Sequence, residues 1–241
     1  MHKLAIVVPI YNHAESFARF LPRLLALGIP VILSDDGSAE KDGLKKTAEK
    51  FGLIYVRGEK NRGKGAAFVR AAKRAGELGF THIFQIDADG QHSLENFGEF
   101  LEMSKSNPQK IINSAPVYKN APASRYFGRK ITNFWVRLEA PKAKIADAMC
   151  GFRIYPLPAV LGVADRLKFL RMGFDIEIIV RLARLGCEIE NLPVNVDYPK
   201  GGVSNFRMVA DNLKISLLHT MLCAEGILSF LKEKIRVWKR R

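Results

Sequence analysis

The sequence predicts an α/β fold in which a mostly parallel sheet is flanked by helices. Three observations carry this. Short β-branched runs alternate with longer helical patterns along most of the 241 residues. The residues are 48% hydrophobic, enough for a sizeable core and too many for a chain disordered throughout. Polar and acidic residues follow directly on the ends of the apolar runs, where ligands bind in sheets of this kind.

The elements follow in order. Residues 4–10, LAIVVPI, read as the first strand; the run ends in Pro9 and polar residues without a small-residue cleavage site, so it is not a signal peptide. Residues 15–27 form a helix, 30–34 a second strand, 41–51 a helix and 53–56 a third strand. An Ala-rich helix spans 65–78, and a fourth strand spans 81–86 and runs into Asp87. Residues 95–104 are helical and 110–114 a strand. The second half is less regular: a helix over 124–138, a loop entering a strand over 145–155, a helix over 175–185 and a strand over 188–196. A long helix begins near Phe206. No repeat and no Pro/Gly/Ser linker divides the chain. One domain over 1–210 is expected, its first half binding a nucleotide and its second the acceptor, followed by a C-terminal helix and basic tail over 211–241.

A net charge of +14 favours anionic partners, whether nucleic acid, phosphorylated ligands or an acidic membrane surface. Cys150, Cys187 and Cys223 are odd in number and far apart, which excludes a zinc-type pair and argues against a disulfide framework. They read as reduced thiols in the cytoplasm.

The strongest chemical signal is FQIDADGQH at 84–92. Asp87 and Asp89 leave an apolar strand two residues apart and can turn toward one cation. Hard oxygen ligands in an incomplete cage suit Mg²⁺ or Mn²⁺, with diphosphate oxygens completing the shell. Gln91 could add an oxygen and His92 a nitrogen. The plainer reading is an acidic turn over Asp89-Gly90. VVPIYNHAE at 7–15 and LSDDGSAE at 33–40 also stand at strand ends.

These three motifs, in this order, resemble the family 2 glycosyltransferases of GT-A fold, a Rossmann-like α/β architecture. The resemblance covers nearly the whole chain. It implies that Pro9, Tyr11 and Glu15 line the base and ribose pocket, that Asp36 holds the base or ribose, and that Asp89 holds the metal. Asp87 and Gln91 match the metal neighbourhood of the polyprenyl-phosphate sugar transferases within the family. Chemistry agrees, because a nucleoside diphosphate leaves badly unless a cation neutralises its developing charge.

GEKNRGKG at 58–65 lacks the hydroxyl residue of a P-loop, since Gly65 follows the lysine. In the resemblance it opens a helix beside the sugar site, where Lys64 and Arg62 could meet diphosphate charge. Glycines for close packing and solvated basic side chains would explain it as well. IADAMCGFRIYP at 145–156 resembles a stretch of the polyprenyl-phosphate transferases. It implies Asp147 near the sugar and acceptor, as general base, sugar ligand or cap, and Arg153 as a phosphate or carboxylate contact. Arg125 and Arg129 are four apart and share a helix face. Together they could clamp an acceptor phosphate or simply form a solvated basic face.

Residues 173–207 resemble the transferases of bacterial aryl polyene lipid synthesis, with Asn205 in YPKGGVSNFR where that family has His. The Gln-x-x-Arg-Trp motif of processive synthases is missing, so transfer of a single sugar is expected. Residues 215–231 are apolar but carry His219 and Glu225, marginal for crossing a bilayer and without one clean apolar face. The ending KEKIRVWKRR suits an anionic membrane surface, or else is a solvated tail. The expected function is therefore inverting transfer from a nucleotide diphosphate sugar to a lipid-linked or membrane-associated acceptor. It would take place in the cytoplasm, peripheral at the inner face of the plasma membrane. A nucleotidyltransferase would share the sheet and the acids but opens with a Gly-rich basic loop, where this chain has PIYNHAE. A nucleic-acid-binding module rests on charge alone, and no nucleic-acid motif accompanies it.

Overall fold

A computed structural model describes residues 1–119, 123–197 and 207–238, and the side chains among these except at 42, 119, 123–125, 197, 208 and 233–238. Its sheet has seven strands: β1 (Leu4–Ile10), β2 (Val31–Asp35), β3 (Ile54–Arg57), β4 (His82–Gln85), β5 (Ile111–Lys119), β6 (Arg153–Pro156) and β7 (Ile189–Asp197). Their order is β3-β2-β1-β4-β6-β5-β7. Every neighbouring pair is parallel except those of β6, which runs antiparallel to both β4 and β5. Eight α-helices complete the described fold: α1 (Ala14–Leu25), α2 (Leu44–Phe51), α3 (Lys64–Glu77), α4 (Phe97–Ser106), α5 (Ala123–Glu139), α6 (Leu157–Val163), α7 (Phe174–Arg184) and α8 (Met208–Trp238).

Strand β1 is central and wholly buried, and its alternating side chains serve two cores. Leu4, Ile6, Val8 and Ile10 pack with α1, α2 and α4 through Phe17, Leu21, Ala48 and Phe100. Ala5 and Val7 pack with α3, α6 and α7 through Phe68, Ala72, Val160 and Phe174. A strand buried on both faces needs a near-continuous apolar run, which LAIVVPI supplies. Pro9 is tolerated because its missing N–H faces the β4 side, beyond the last β1–β4 pair, Val7 with Gln85. The chain leaves β1 for β2 and β3 on one side, then returns over α3 to β4 on the other. The carboxyl ends of β1 and β4 therefore flank the point where strand order reverses, the place where such sheets bind ligands.

The structure departs from the sequence reading in three places. The helix expected over 41–51 is broken at Gly43, whose φ of 64° separates a short 3₁₀ turn from α2. After β6, which closes the loop-into-strand read over 145–155, α6 follows unforeseen with proline in its first turn, where a missing N–H costs nothing. Helix α8 begins at Met208, so the boundary expected at 210/211 falls inside its first turn. Its Ile215, Leu218 and Leu222 join a third core with Val136 of α5 and Ile176 and Ile179 of α7. Arg181 ties α7 to α8 through Glu225 at 3.0 Å, and Arg184 donates to Leu222 O at 2.7 Å.

Candidate functional site

Three loops meet at the carboxyl edge of β1, β2 and β4. After β1, Asn12 takes a left-handed φ of 53°. Its N–H donates to Ser38 Oγ, and its Oδ1 accepts from Ala39 N–H, stitching the β1 loop to the β2 loop. Tyr11 and Glu15 stand exposed at this rim. The two aspartates after β2 divide their work. Asp35 is wholly buried and accepts from Ser38 N–H, Tyr55 Oη and Arg57 Nη1. Burial opposes its ionisation, but those hydrogen bonds and the Arg57 charge hold its pKa below the usual carboxylate value. Asp36 accepts from the N–H groups of Arg62 and Gly63 through Oδ2, at 2.9 and 2.6 Å. Its buried Oδ1 has no hydrogen-bond partner, and Arg70 Nη2 lies 3.5 Å away. A buried acceptor left over at a strand end suits a ligand donor.

Beyond β4, Lys64 Nζ lies 2.6 Å from Asp87 and 2.8 Å from Asp175 of α7. Asp175 also accepts from Gln85 Nε2 at 2.6 Å. Burial disfavours the charge on Lys64, yet the two carboxylates raise its pKa well above the ordinary lysine value. Burial likewise opposes ionisation of Asp87, and Lys64 outweighs it and lowers the Asp87 pKa. Lys64 is thus already neutralised by two carboxylates. A Cβ at Gly151 would run into Lys64 Nζ and come within 3.1 Å of Asp87 Oδ1, so a side chain there would displace the Lys64–Asp87 pair.

Asp89 is exposed and accepts one hydrogen bond, from Gln91 N–H at 3.1 Å. Burial and the charge of Asp87 hold its pKa above the ordinary carboxylate value. Two carboxylates that repel each other at a pocket wall suit a cation. Among the described residues no group of three or more His, Cys, Asp or Glu converges on a metal position. Asp87, Asp89 and Gln91 line one cavity and would offer a cation an incomplete oxygen cage, the kind that substrate oxygens complete. His92 lines the same cavity, but its Nε2 lies 3.1 Å from Cys150 Sγ. Burial disfavours its charge, and the Cys150 sulfur and the two aspartates outweigh that and push its pKa up to about 9.

Tyr118, Arg129, Met149, Cys150 and Gly151 line the same cavity. Arg129 Nη1 donates to both oxygens of Asp147, at 2.9 and 3.0 Å, and its guanidinium lies over the Tyr118 ring. Asp147 Oδ1 also accepts from the N–H groups of Met149 and Cys150. The carboxylate therefore caps its own turn and braces Arg129. Of the three roles the sequence left open for it, this geometry favours the cap.

Arg153 is a correction. It is wholly buried, and its guanidinium donates to Asn113 Oδ1, Tyr155 Oη and the carbonyls of Asp147 and Asp175. It cannot reach an acceptor from there; it ties β5, β6, the Asp147 turn and α7 together. The side chain of Arg125, and Ser204 and Asn205, lie outside the described residues. Asp175, Gln85 and Tyr118 were not singled out from sequence. Asp175 and Lys64 are 111 residues apart, and nothing local marks them as partners.

Known proteins resemble this chain in both sequence and fold. The chain is 27% identical to a dolichyl-phosphate beta-glucosyltransferase ALG5A of Trichomonas vaginalis, over 90% of this chain and 73% of that protein. It is 25% identical to an undecaprenyl-phosphate mannosyltransferase of Micrococcus luteus, over 80% and 82% of the two chains. Among solved structures, glucosyl-3-phosphoglycerate synthase from Mycobacterium tuberculosis, in complex with Mn²⁺ and UDP-glucose, superposes with a TM-score of 0.63 at 18% identity. That match covers 88% of this chain and 74% of the synthase. S. aureus TarS in complex with UDP-GlcNAc gives 0.61 at 15% identity, over 93% and 69%. These two likenesses show the shared GT-A fold. Residues 5–157, which hold β1 through β6 and all the strand-end acids, match glycosyl transferase family 2, and the chain belongs to that family of enzymes.

Proposed function

We propose that this enzyme moves one sugar, with inversion, from a nucleotide diphosphate sugar to the phosphate of a membrane-borne polyprenyl lipid. Mg²⁺ or Mn²⁺ would be held by Asp89 and Asp87 with Gln91. The observation that carries the reading is the placing of Asp36 at one side of the β1–β4 switch and the Asp87–Asp89 pair at the other, with Arg129 lining the same cavity as the pair. Tyr11, Glu15 and the unbonded Oδ1 of Asp36 would take the base and ribose, while the buried Pro9 fixes where their loop leaves β1. A cation bound at Asp89 would neutralise the diphosphate as it leaves. Lys64 sets the position of Asp87, its own charge being balanced by Asp87 and Asp175.

The acceptor oxygen would attack the anomeric carbon from the Arg129 side as the bond to the nucleoside diphosphate breaks. The names of the relatives above, which act on dolichyl and undecaprenyl phosphates, favour a phosphate acceptor. A phosphate monoester has a second pKa of about 6 and needs no base at neutral pH. The bonding of Asp147 agrees, since both its oxygens are engaged by donors. Arg129, and Arg125 one turn before it, would meet the lipid phosphate. The same reading puts the enzyme in the cytoplasm, peripheral at the inner face of the plasma membrane, with no nucleic-acid partner.

Two measurements check this. A panel of nucleotide diphosphate sugars with Mg²⁺ or Mn²⁺ should raise the melting temperature for one donor, because ligand binding to the folded state stabilises it. No shift with any donor or free nucleoside diphosphate would count against the site. Asp147→Asn should raise KM for a polyprenyl phosphate while kcat falls less than about tenfold. A fall in kcat of about 10²–10⁴-fold, with unchanged donor affinity and a lost basic limb in the pH profile, would make Asp147 a general base instead.

A further inference from the structure

Helices α5 and α8 each bury one face and expose an apolar one opposite. On α5, Thr132 and Val136 are buried, as is Ala140 just past its end. Phe127, Ile131, Phe134 and Leu138 are 62, 62, 56 and 56% exposed. At 3.6 residues per turn these four fall within an arc of about 60°. On α8, Ile215, Leu218 and Leu222 are buried. Val209, Leu213, Leu217 and Ile227 are 73, 67, 61 and 62% exposed and share the opposite face. This explains why α8 shows no single apolar stripe in sequence: it has two. The helices meet along a seam where Trp135 stacks on His219 at 6.3 Å and Glu139 bonds His219 Nδ1 at 2.7 Å. Trp135 remains 40% exposed there.

We infer that the outer faces of α5 and α8 form one platform that seats in the headgroup and upper acyl region of an anionic bilayer, lying in its plane. The edges of both faces are basic. Lys130 and Arg137 flank the α5 face, Lys214 and Lys232 the α8 face, and all four are exposed. Long basic side chains at the rim of an apolar face reach headgroups while their stems stay in the apolar layer. Among the described side chains of the two helices, no acidic one opposes this. Glu139 and Asp211 are buried, and Glu225 is held by Arg181. Anionic lipid is therefore the complementary surface. A second copy of the chain would set like charges against like across a two-fold axis.

Residues Val209–Lys232 are long and apolar enough to cross a membrane by length and composition, with a mean hydropathy of 1.3. The buried Ile215, Leu218 and Leu222 and the Arg181–Glu225 pair fix this stretch on the protein body instead. Arg129 leaves α5 on the side away from Phe127 and Ile131 and lines the cavity. The same helix thus carries the cavity wall and the lipid face. For the acceptor's location this inference rests on the reading above, but membrane seating is measurable without transfer.

The test uses the full chain with Trp238→Phe, which leaves Trp135 as the sole tryptophan of the two. The probes are preformed vesicles of phosphatidylcholine, with and without phosphatidylglycerol. The protein should float with the anionic vesicles, and Trp135 emission should shift to the blue. Phe127→Ser/Ile131→Ser/Phe134→Ser, and separately Leu213→Ser/Leu217→Ser, should each lower the partition coefficient by about 10-fold or more with the basic tail intact. Thermal stabilisation by a nucleoside diphosphate should be unchanged in both, so loss of seating is separable from failure of the donor site. Three results would each overturn the platform: no flotation of the parent protein, vesicle binding by the variants equal to the parent, or conversion of a stable dimer to monomer by either variant. The parent's emission shift is informative even if a variant folds poorly.

Discussion

Asp89→Asn should lower sugar transfer by about 10³-fold or more, equivalent to about 4 kcal/mol of transition-state stabilisation. Asp89 is the exposed member of the acidic pair, and a single backbone N–H is its recorded hydrogen-bond donor. Its partner Asp87 is drawn to Lys64 at 2.6 Å. Asparagine keeps the shape and one oxygen but removes the charge a hard cation needs. The repulsion that raises the Asp89 pKa disappears as well, so the folded protein should be no less stable in the absence of metal. The measurement is single-turnover transfer beside thermal melting, each with and without Mn²⁺. Full activity of the variant in the presence of a chelator would remove the metal from the account.

Arg153→Met should cost about 3–5 kcal/mol of stability, because several buried neutral acceptors lose a donor and each left unpaired costs about 1–3 kcal/mol. Methionine fills most of the volume, so packing is not the main loss. Asn113 Oδ1 and the carbonyls of Asp147 and Asp175 would each lose a donor inside the protein. For a chain of this size that corresponds to a fall in melting temperature of about 10 °C. The residual folded protein should bind a nucleoside diphosphate with nearly parental affinity. An unchanged melting temperature with a raised KM for the acceptor would restore Arg153 to the acceptor site.

The contrast between these residues shows what the sequence carried. The strand-end positions of Asp36, Asp87 and Asp89 were legible because strand ends can be read from apolar runs. Strand β1 was read to its bounds for the same reason: seven apolar residues stop where the polar loop begins. Arg153 was misassigned because a buried guanidinium and a solvent-facing one look alike in a string. Its burial comes from β6 running antiparallel between β4 and β5, a reversal that no local pattern announces. The Lys64–Asp175–Asp87 cluster needed the packing of α7 beside α3. The exposed apolar faces of α5 and α8 became visible only when the buried faces could be subtracted.

The central claim is transfer from a nucleotide diphosphate sugar to a lipid phosphate, and product analysis tests it most directly. Purified enzyme would be incubated with Mn²⁺, a short-chain polyprenyl phosphate and each of a panel of labelled nucleotide sugars. The account predicts, for one donor, a solvent-extractable product heavier than the lipid by one sugar residue, with release of one nucleoside diphosphate and loss of product on adding chelator. No labelled lipid from any donor, together with nucleotide-sugar formation from a nucleoside triphosphate and a sugar 1-phosphate, would contradict it and identify a nucleotidyltransferase.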